Sequence, residues 1–157
     1  MEYVASLTTP ASVAAVEPFV ASLDRYPSWL GIINSVKALD PDDGRPAWAV
    51  ELRARLGPLA RSKRLRMLCT IDEAGPRDTR RWVFERAEVD GRPHSAWVLE
   101  ATLSSSGSAA AKAKQPKLTR LEMQLRYDGS MWGPVLERLL RDEVDKSIPR
   151  LRQLVEA

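Results

Sequence analysis

Between residues 32 and 127, apolar and polar side chains alternate with a period of two over several stretches. One such stretch is Trp48–Leu56 and the next is Leu65–Ile71, with mostly charged or polar residues at the intervening positions. This alternation is typical of strands with one buried face and one solvated face. Because turn residues such as PDDGRP at 41–46 separate the stretches, we predict consecutive antiparallel strands, the last of them over 119–127.

The segment between the two longest stretches suggests a register. A four-residue loop at 57–60 would place Val50 opposite Met67 and Leu52 opposite Leu65, so that apolar residues meet across the pair.

A second hairpin is predicted around Asp90–Gly91, because both residues tolerate the positive φ angles of a type I′ turn. A two-residue loop there would place Arg81 opposite Glu100 on one face. The other face would then carry Trp82, Phe84, Arg86, Ser95, Trp97 and Leu99.

Helical signals precede the strands. Residues 2–8 alternate weakly and are predicted as a first strand, after which Thr9–Pro10 would supply an N-cap and a first helical position. Valines at 13, 16 and 20 then mark one helical face. The segment DRYPSWLG, 24–31, is predicted to end this helix and form a short second one.

A long amphipathic helix is predicted from about residue 132 to about residue 155. At 1.5 Å per residue it would be about 35 Å long, enough to cross a whole domain. Its predicted apolar stripe consists of Val135, Leu136, Leu139, Leu140, Val144, Ile148, Leu151 and Val155.

Composition favours one globular domain, 1–157, with a flexible loop at about 104–117. We expect a cytoplasmic protein, since no segment reads as a signal peptide or as a membrane span of roughly 20 apolar residues. The single Cys69 and single His94 exclude an internal disulfide and a Cys/His zinc site, so no metal or cofactor is predicted. The net charge of +3 is too small and dispersed to predict nucleic-acid binding.

Taken in chain order, the predicted elements are one strand, two short helices, six antiparallel strands and a terminal helix. They predict an α+β protein. Four segments carry a resemblance to a known family: TTPASVAAVEPFVASLDRYPSW, LGPLARSKRLRM, FERAEVDGRPHSAWVLEA and GSMWGPVLERLLRDEVDKSIPRL. Together with this order of elements, they resemble the START-like helix-grip superfamily (SRPBCC), in its bacterial polyketide cyclase/dehydrase and lipid-transport branch. The resemblance implies a curved sheet of about seven strands wrapped around the long C-terminal helix. It also implies a cavity between sheet and helix, roofed by the two short helices after the first strand.

Alternation places a set of bulky side chains on the same concave face. Any one of them is more often plain core than a ligand contact, so the case for a pocket depends on the set. The predicted ligand-binding residues are Trp48, Met67, Trp82, Phe84, Arg86, Ser95, Trp97, Leu99 and Met123.

Arg86 is the exception on this apolar face. A buried charge without a partner costs several kcal/mol, so Arg86 must meet a carboxylate, reach solvent or hold a polar group of a ligand. The candidate carboxylates are Glu88 and the acids of the terminal helix at 142, 143 and 145. We hypothesise that Arg86, with Ser95 opposite, forms the polar anchor of an apolar pocket.

Other reactive side chains favour structural roles. In the predicted register His94 lies opposite Ala87 on the outer face beside a turn, which favours a surface role over that of a general base. Cys69 shares the inward alternation of its strand and is expected to be a small buried hydrophobe. Neither G-x-S-x-G nor a phosphate-binding glycine loop is present, so no catalytic residue is predicted.

Three classes of function remain open. The first is binding or transport of a hydrophobic small molecule, a lipid or a polyketide-like aromatic, with transient membrane contact and oligomeric state left open. The second is a polyketide aromatase/cyclase acting in the same cavity, in which Arg86 would polarise a carbonyl. The third is a partner-binding role like that of ribosome-associated toxins. The outer face argues against this role, because glutamates alternate there with the arginines, as on an ordinary solvated sheet.

Overall fold

One seven-stranded antiparallel sheet organises the residues that this computed structural model describes, 1–106, 117–128 and 133–157. Its strand order is β1-β7-β6-β5-β4-β3-β2. The strands are β1 (Glu2–Thr9), β2 (Ile33–Asp42), β3 (Arg45–Leu56), β4 (Leu59–Ala74), β5 (Arg80–Arg86), β6 (Trp97–Ser106) and β7 (Leu118–Tyr127). The helices are α1 (Val13–Val20), a 3₁₀-helix (Leu23–Ser28) and α2 (Gly133–Val155). The predicted α+β helix-grip architecture is therefore confirmed.

The predicted loop at 104–117 divides into two parts. Ser104–Ser106 continue strand β6, where they pair with β7. Residues 107–116 lie outside the described residues.

A type I′ turn forms at Asp43–Gly44, inside the turn predicted at 41–46. Both residues have positive φ, 51° and 76°, and they join Asp42 directly to Arg45 across the β2–β3 ladder. This conformation matches the twist of the flanking strands, so the hairpin closes with two residues.

The β3–β4 hairpin is tighter than the four-residue loop predicted from the sequence. Its ladder reaches the Leu56–Leu59 pair, and Gly57, with φ of 58°, accepts the conformation that a two-residue turn needs. Val50 therefore pairs with Leu65 and not with Met67. The error is two positions, which leaves every side chain on its predicted face.

The two-residue hairpin predicted at Asp90–Gly91 is wrong. Strand β5 ends at Arg86 and β6 begins at Trp97, so residues 87–96 form a long loop. The observed pairing sets Arg81 opposite Thr102 instead of Glu100. Arg81 still reaches Glu100 diagonally, with Nε 2.6 Å from Oε1.

Local side-chain bonds hold this loop away from the ladder. The Asp90 carboxylate accepts the backbone N–H of Arg92 at 3.0 Å and lies 2.8 Å from Nε2 of His94. Such Asp-to-backbone bonds compete with strand pairing. Pro93 in addition has no N–H to give to a ladder.

Helix α1 begins later than predicted. Its N-cap is Ser12, whose Oγ accepts the N–H of Ala15 at 3.1 Å. The predicted cap, Thr9–Pro10, is displaced because Thr9 still pairs in β1 and its hydroxyl donates to Glu156 of the terminal segment at 2.7 Å.

An aromatic cluster attaches the 3₁₀-helix to the sheet. The ring of Tyr26 lies 5.1 Å from that of Trp29 and 5.9 Å from that of Phe84, and Trp48 lies 5.7 Å from Phe84. The Tyr26 hydroxyl donates to the carbonyl of Val20 at 2.9 Å, so its polar atom is satisfied inside the core. The roof of the concave face is therefore firmly packed at this end.

Helix α2 covers the concave face with most of the predicted stripe. Leu140, Val144, Leu151 and Val155 are buried. Val135, in the first turn of the helix, is 67% exposed, and the side chain of Leu136 lies outside the described part of the structure. No helix among the described residues is both long and apolar enough to cross a membrane.

Polar contacts hold α2 along β1. The Tyr3 hydroxyl donates to Asp145, and Arg152 donates to the carbonyl of Thr8 at 2.9 Å. The hydrogen bond to Asp145, together with partial burial, raises the pKa of Tyr3 to about 12.

We predict that Leu7→Ala lowers the free energy of unfolding by about 2–5 kcal/mol, because Leu7 is 1% exposed in the centre of β1. Val4→Ala on the same strand is the matched control, since Val4 is 49% exposed, and it should change stability by less than about 0.5 kcal/mol. Denaturant unfolding measures both. Equal losses in the two variants would contradict the burial of this face of β1.

We also predict that Asp145→Asn lowers the pKa of Tyr3 from about 12 towards 10.0, because it removes the largest cause of the shift. The raised pKa means that the Tyr3 hydroxyl stabilises the fold below pH 10 and that this contribution is lost as the pH rises through 12. Ultraviolet difference titration of the tyrosines measures the shift. Asp142→Asn is the control, because Asp142 makes the smallest named contribution; an equal shift there would contradict the Tyr3–Asp145 hydrogen bond.

Candidate functional site

An apolar cavity lies between the concave face of the sheet and α2. Its volume is about 50 Å³. The 3₁₀-helix and the segment after it contribute Trp29, Leu30 and Ile32, and α2 contributes Val144 and Ile148. The sheet contributes among others Val50, Leu52, Leu65, Met67, Leu99 and Met123. The walls are almost entirely hydrocarbon, so the cavity suits an apolar guest.

The cavity is small in this state of the protein. An engineered apolar cavity of about 150 Å³ binds benzene, and about 50 Å³ falls well short of that. A larger guest therefore needs its walls to move apart. Met67 and Met123 are the adaptable wall residues, because an unbranched thioether side chain changes rotamer readily.

Four predicted site residues, Met67, Trp97, Leu99 and Met123, line this cavity. Trp48 and Phe84 belong instead to the aromatic cluster under the roof. Their large rings fill part of the concavity, and neither residue lines the cavity.

Trp82 is also fully buried away from the cavity. The guanidinium of Arg80 lies 5.1 Å from its ring centroid. Its indole Nε1 has no hydrogen-bond partner among the described residues. The structure therefore places it in the core.

Other wall residues were not singled out as ligand contacts from the sequence. Tyr3 and Ala5 come from β1, whose alternation is weak, and Leu30 and Ile32 come from the segment before the period-two pattern becomes regular. Among the wall residues that the structure describes, only Tyr3 has a hydroxyl, and it is turned towards Asp145 on α2.

Neither Arg86 nor Ser95 lines the cavity, but Arg86 lies on the face that alternation predicts. It pairs with Met67, a wall residue, across the β4–β5 ladder. Its side chain is 8% exposed, and Nε lies 3.0 Å from Oε1 of Glu88. Nη1 donates to the carbonyl of Ser95 at 3.3 Å. Of the candidate carboxylates, Glu88 is the partner of Arg86, and Ser95 contributes its backbone.

His94 joins the same network, which corrects its predicted place opposite Ala87. Its Nδ1 lies 3.2 Å from Nη2 of Arg86. Because a guanidinium can only donate, Nδ1 must accept, and the ring proton on Nε2 is then donated to Asp90. The pKa of Asp90 is lowered because its carboxylate accepts two hydrogen bonds. The bond from the backbone N–H of Arg92 has the larger effect, and the bond from His94 comes second. Because residues 87–96 form a loop and do not pair as strands, His94 can turn back towards Arg86.

A second cation, Lys63, lies beside this network. It is opposite Leu52 in the β3–β4 ladder and therefore faces the concave side. Its Nζ lies 6.0 Å from the ring centroid of Trp97 and 5.8 Å from that of Tyr127. Burial, followed by the charge of Arg86, lowers the pKa of Lys63, whereas Glu88 acts in the opposite direction.

Cys69 has the buried position expected from its alternation, with 6% of its surface exposed. Burial, as the largest cause, raises the pKa of its thiol, which favours the unreactive protonated form. Within residues 1–106, 117–128 and 133–157, no group of three His, Cys, Asp or Glu side chains could hold a metal ion.

Several solved structures share this fold. Human StAR-related lipid transfer protein 5 matches with a TM-score of 0.75 and 11% identity over 99% of this chain and 75% of that one. A START superfamily protein from Mycobacterium smegmatis matches with a TM-score of 0.56 and 16% identity over 99% and 97%. The di-domain ARO/CYC BexL of the BE-7585A biosynthetic pathway matches with a TM-score of 0.56 and 13% identity over 100% and 50%. At these identities the likeness shows the fold alone.

A search of curated protein sequences found no significant match. A family model described as polyketide cyclase / dehydrase and lipid transport matches residues 2–156, nearly the whole chain. The START-like resemblance read from the sequence is thereby confirmed, and this chain belongs to the polyketide cyclase/dehydrase and lipid transport family.

Proposed function

We propose that this protein binds and transports a hydrophobic small molecule in the cavity between sheet and α2. The observation that carries the proposal is the wall itself, which is apolar on the sheet, roof and helix sides alike. Burying apolar ligand surface there contributes roughly 25 cal/mol per Å² before the costs of binding are subtracted. A lipid chain or a polyketide-like aromatic has the matching chemistry.

Entry of a guest requires movement, since the cavity is smaller than such ligands. On its β1 side α2 is tied by the bonds from Tyr3 and Arg152. On the opposite side, the N–H of Gly31 donates to Ser147 of α2 at 3.0 Å. We propose that α2 and the methionine walls shift to admit the ligand while the β1 side of the helix stays attached.

An aromatase/cyclase activity in the same cavity is the alternative. The described cavity wall carries no carboxylate and no imidazole that could act as a general base, which favours binding over catalysis. The ARO/CYC named among the similar structures keeps the alternative open as a test. Formation of a cyclised product from a poly-β-ketone mimic would support it, whereas a co-purifying lipid in native mass spectrometry supports the carrier.

The nine site residues enter this proposal in three roles. Met67, Trp97, Leu99 and Met123 are the proposed apolar contacts, and the other aromatic residues set the shape of the concavity behind them. Arg86 and Ser95 form the polar end, where Arg86 holds the loop at 87–96 against the cavity.

We predict that Val144→Phe lowers the affinity for octanol by at least about fivefold, because the larger side chain extends from α2 into the cavity. Leu154→Phe is the matched control on the same helix, since Leu154 is 38% exposed, and it should leave the affinity unchanged. Isothermal titration calorimetry measures octanol binding, and circular dichroism checks the fold. Equal affinities of the two folded variants would place the ligand outside this cavity.

A further inference from the structure

Two cations, Lys63 and Arg86, lie near Trp97 of the cavity wall. Lys63 and Arg86 both lie on the concave face, because they pair with the wall residues Leu52 and Met67. Glu88 is the carboxylate that pairs with Arg86 there. Asp90 belongs to the same network, where it accepts from His94, so both acids at this end are engaged with Arg86 and His94 and neither forms a salt bridge with Lys63.

Arg86 is already compensated. Its Nε meets Glu88 at 3.0 Å, and its two terminal nitrogens meet the carbonyl of Ser95 and the Nδ1 of His94. A ligand group that took Arg86 would have to break bonds that hold the loop at 87–96. Arg86 is therefore a positioning residue for the loop.

Lys63 has no directly bonded partner of this kind among the described residues. It forms no salt bridge with any carboxylate in the part of the chain that the structure describes. Its ammonium lies instead near the ring faces of Trp97 and Tyr127, about 6 Å from each centroid, the distance at which cation–π attraction fades. The pKa of Lys63 is lowered by burial and then by the charge of Arg86, and the charge of Glu88 offsets this only in part.

Trp97 connects this cation to the cavity. It lines the cavity and also lies under the Lys63 ammonium. Trp97 is thus the residue that the cavity wall and the surroundings of the Lys63 ammonium share, with its ring centroid 6.0 Å from Nζ.

We propose that Lys63 is the counter-ion for a ligand that combines an apolar body with one carboxylate. This inference rests on the proposed function, because it assumes that the body occupies the cavity. The shared chemistry has two sources, a straight-chain carboxylic acid and an aromatic one.

Two matched ligand pairs separate the contribution of the carboxylate from that of the apolar body, and they distinguish the two sources. Octanoate is compared with octanol, and naphthoate with naphthol, by isothermal titration calorimetry at neutral pH on the full chain. Within each pair, the ratio of the two dissociation constants isolates the contribution of the carboxylate. Preference for the aromatic or the straight-chain acid identifies the source.

We expect Lys63→Met to reduce the preference for the acid by about tenfold, the scale of one hydrogen bond between charged groups. Lys63→Arg should keep most of the preference, because it keeps the charge. Lys37→Met is the control, since Lys37 is exposed on β2. Unchanged octanol binding in Lys63→Met shows that the variant is folded and its cavity intact.

Each outcome decides one of the two proposals. If octanol binds and the acid preference is the same in Lys63→Met as in Lys37→Met, the role of Lys63 is refuted while the carrier proposal stands. If neither member of either pair binds the unmodified protein, the carrier proposal fails and the role of Lys63 falls with it.

Discussion

The burial of one face of a twisted seven-stranded sheet is the constraint on which the rest of this structure depends. Such a sheet curves, and one helix about 10 Å wide cannot cover the whole concave side. The aromatic cluster of Tyr26, Trp29, Trp48 and Phe84 fills one part of the remaining space. The part between that cluster and α2 is left open, and it is lined by the side chains that the alternation turns inwards.

Alternation explains why the faces could be predicted although the registers could not. Both hairpin predictions were in error by two positions, in opposite directions: Val50 pairs with Leu65, and Arg81 pairs with Thr102. An even shift keeps each side chain on its face. Turn chemistry decides the register, and at Asp90 the side chain bonds its own loop instead of supporting a tight turn.

The site was predictable in its character and less so in its members. Trp48 and Phe84 share the inward face with Met67, but the sequence does not show which part of that face the roof covers. The inward position of Lys63 could have been predicted, because it lies two and four residues before Leu65 and Met67 on the same strand and so shares their face. A lysine beside Arg61 and Arg64 reads as part of a solvated edge, and only the long loop at 87–96 and Trp97 give it a buried neighbourhood.

The difference between the two cations follows from their surroundings. Arg86, with 8% of its side chain exposed, requires its carboxylate in the protein itself, because a guanidinium buried without one would cost several kcal/mol. Lys63 retains contact with water and can remain unpaired until a ligand arrives. A ligand carboxylate that replaced this water would meet the ammonium beside the rings of Trp97 and Tyr127, where a lower local dielectric strengthens the attraction between the two charges. An anionic head group therefore gains most at the cation that the protein leaves uncompensated.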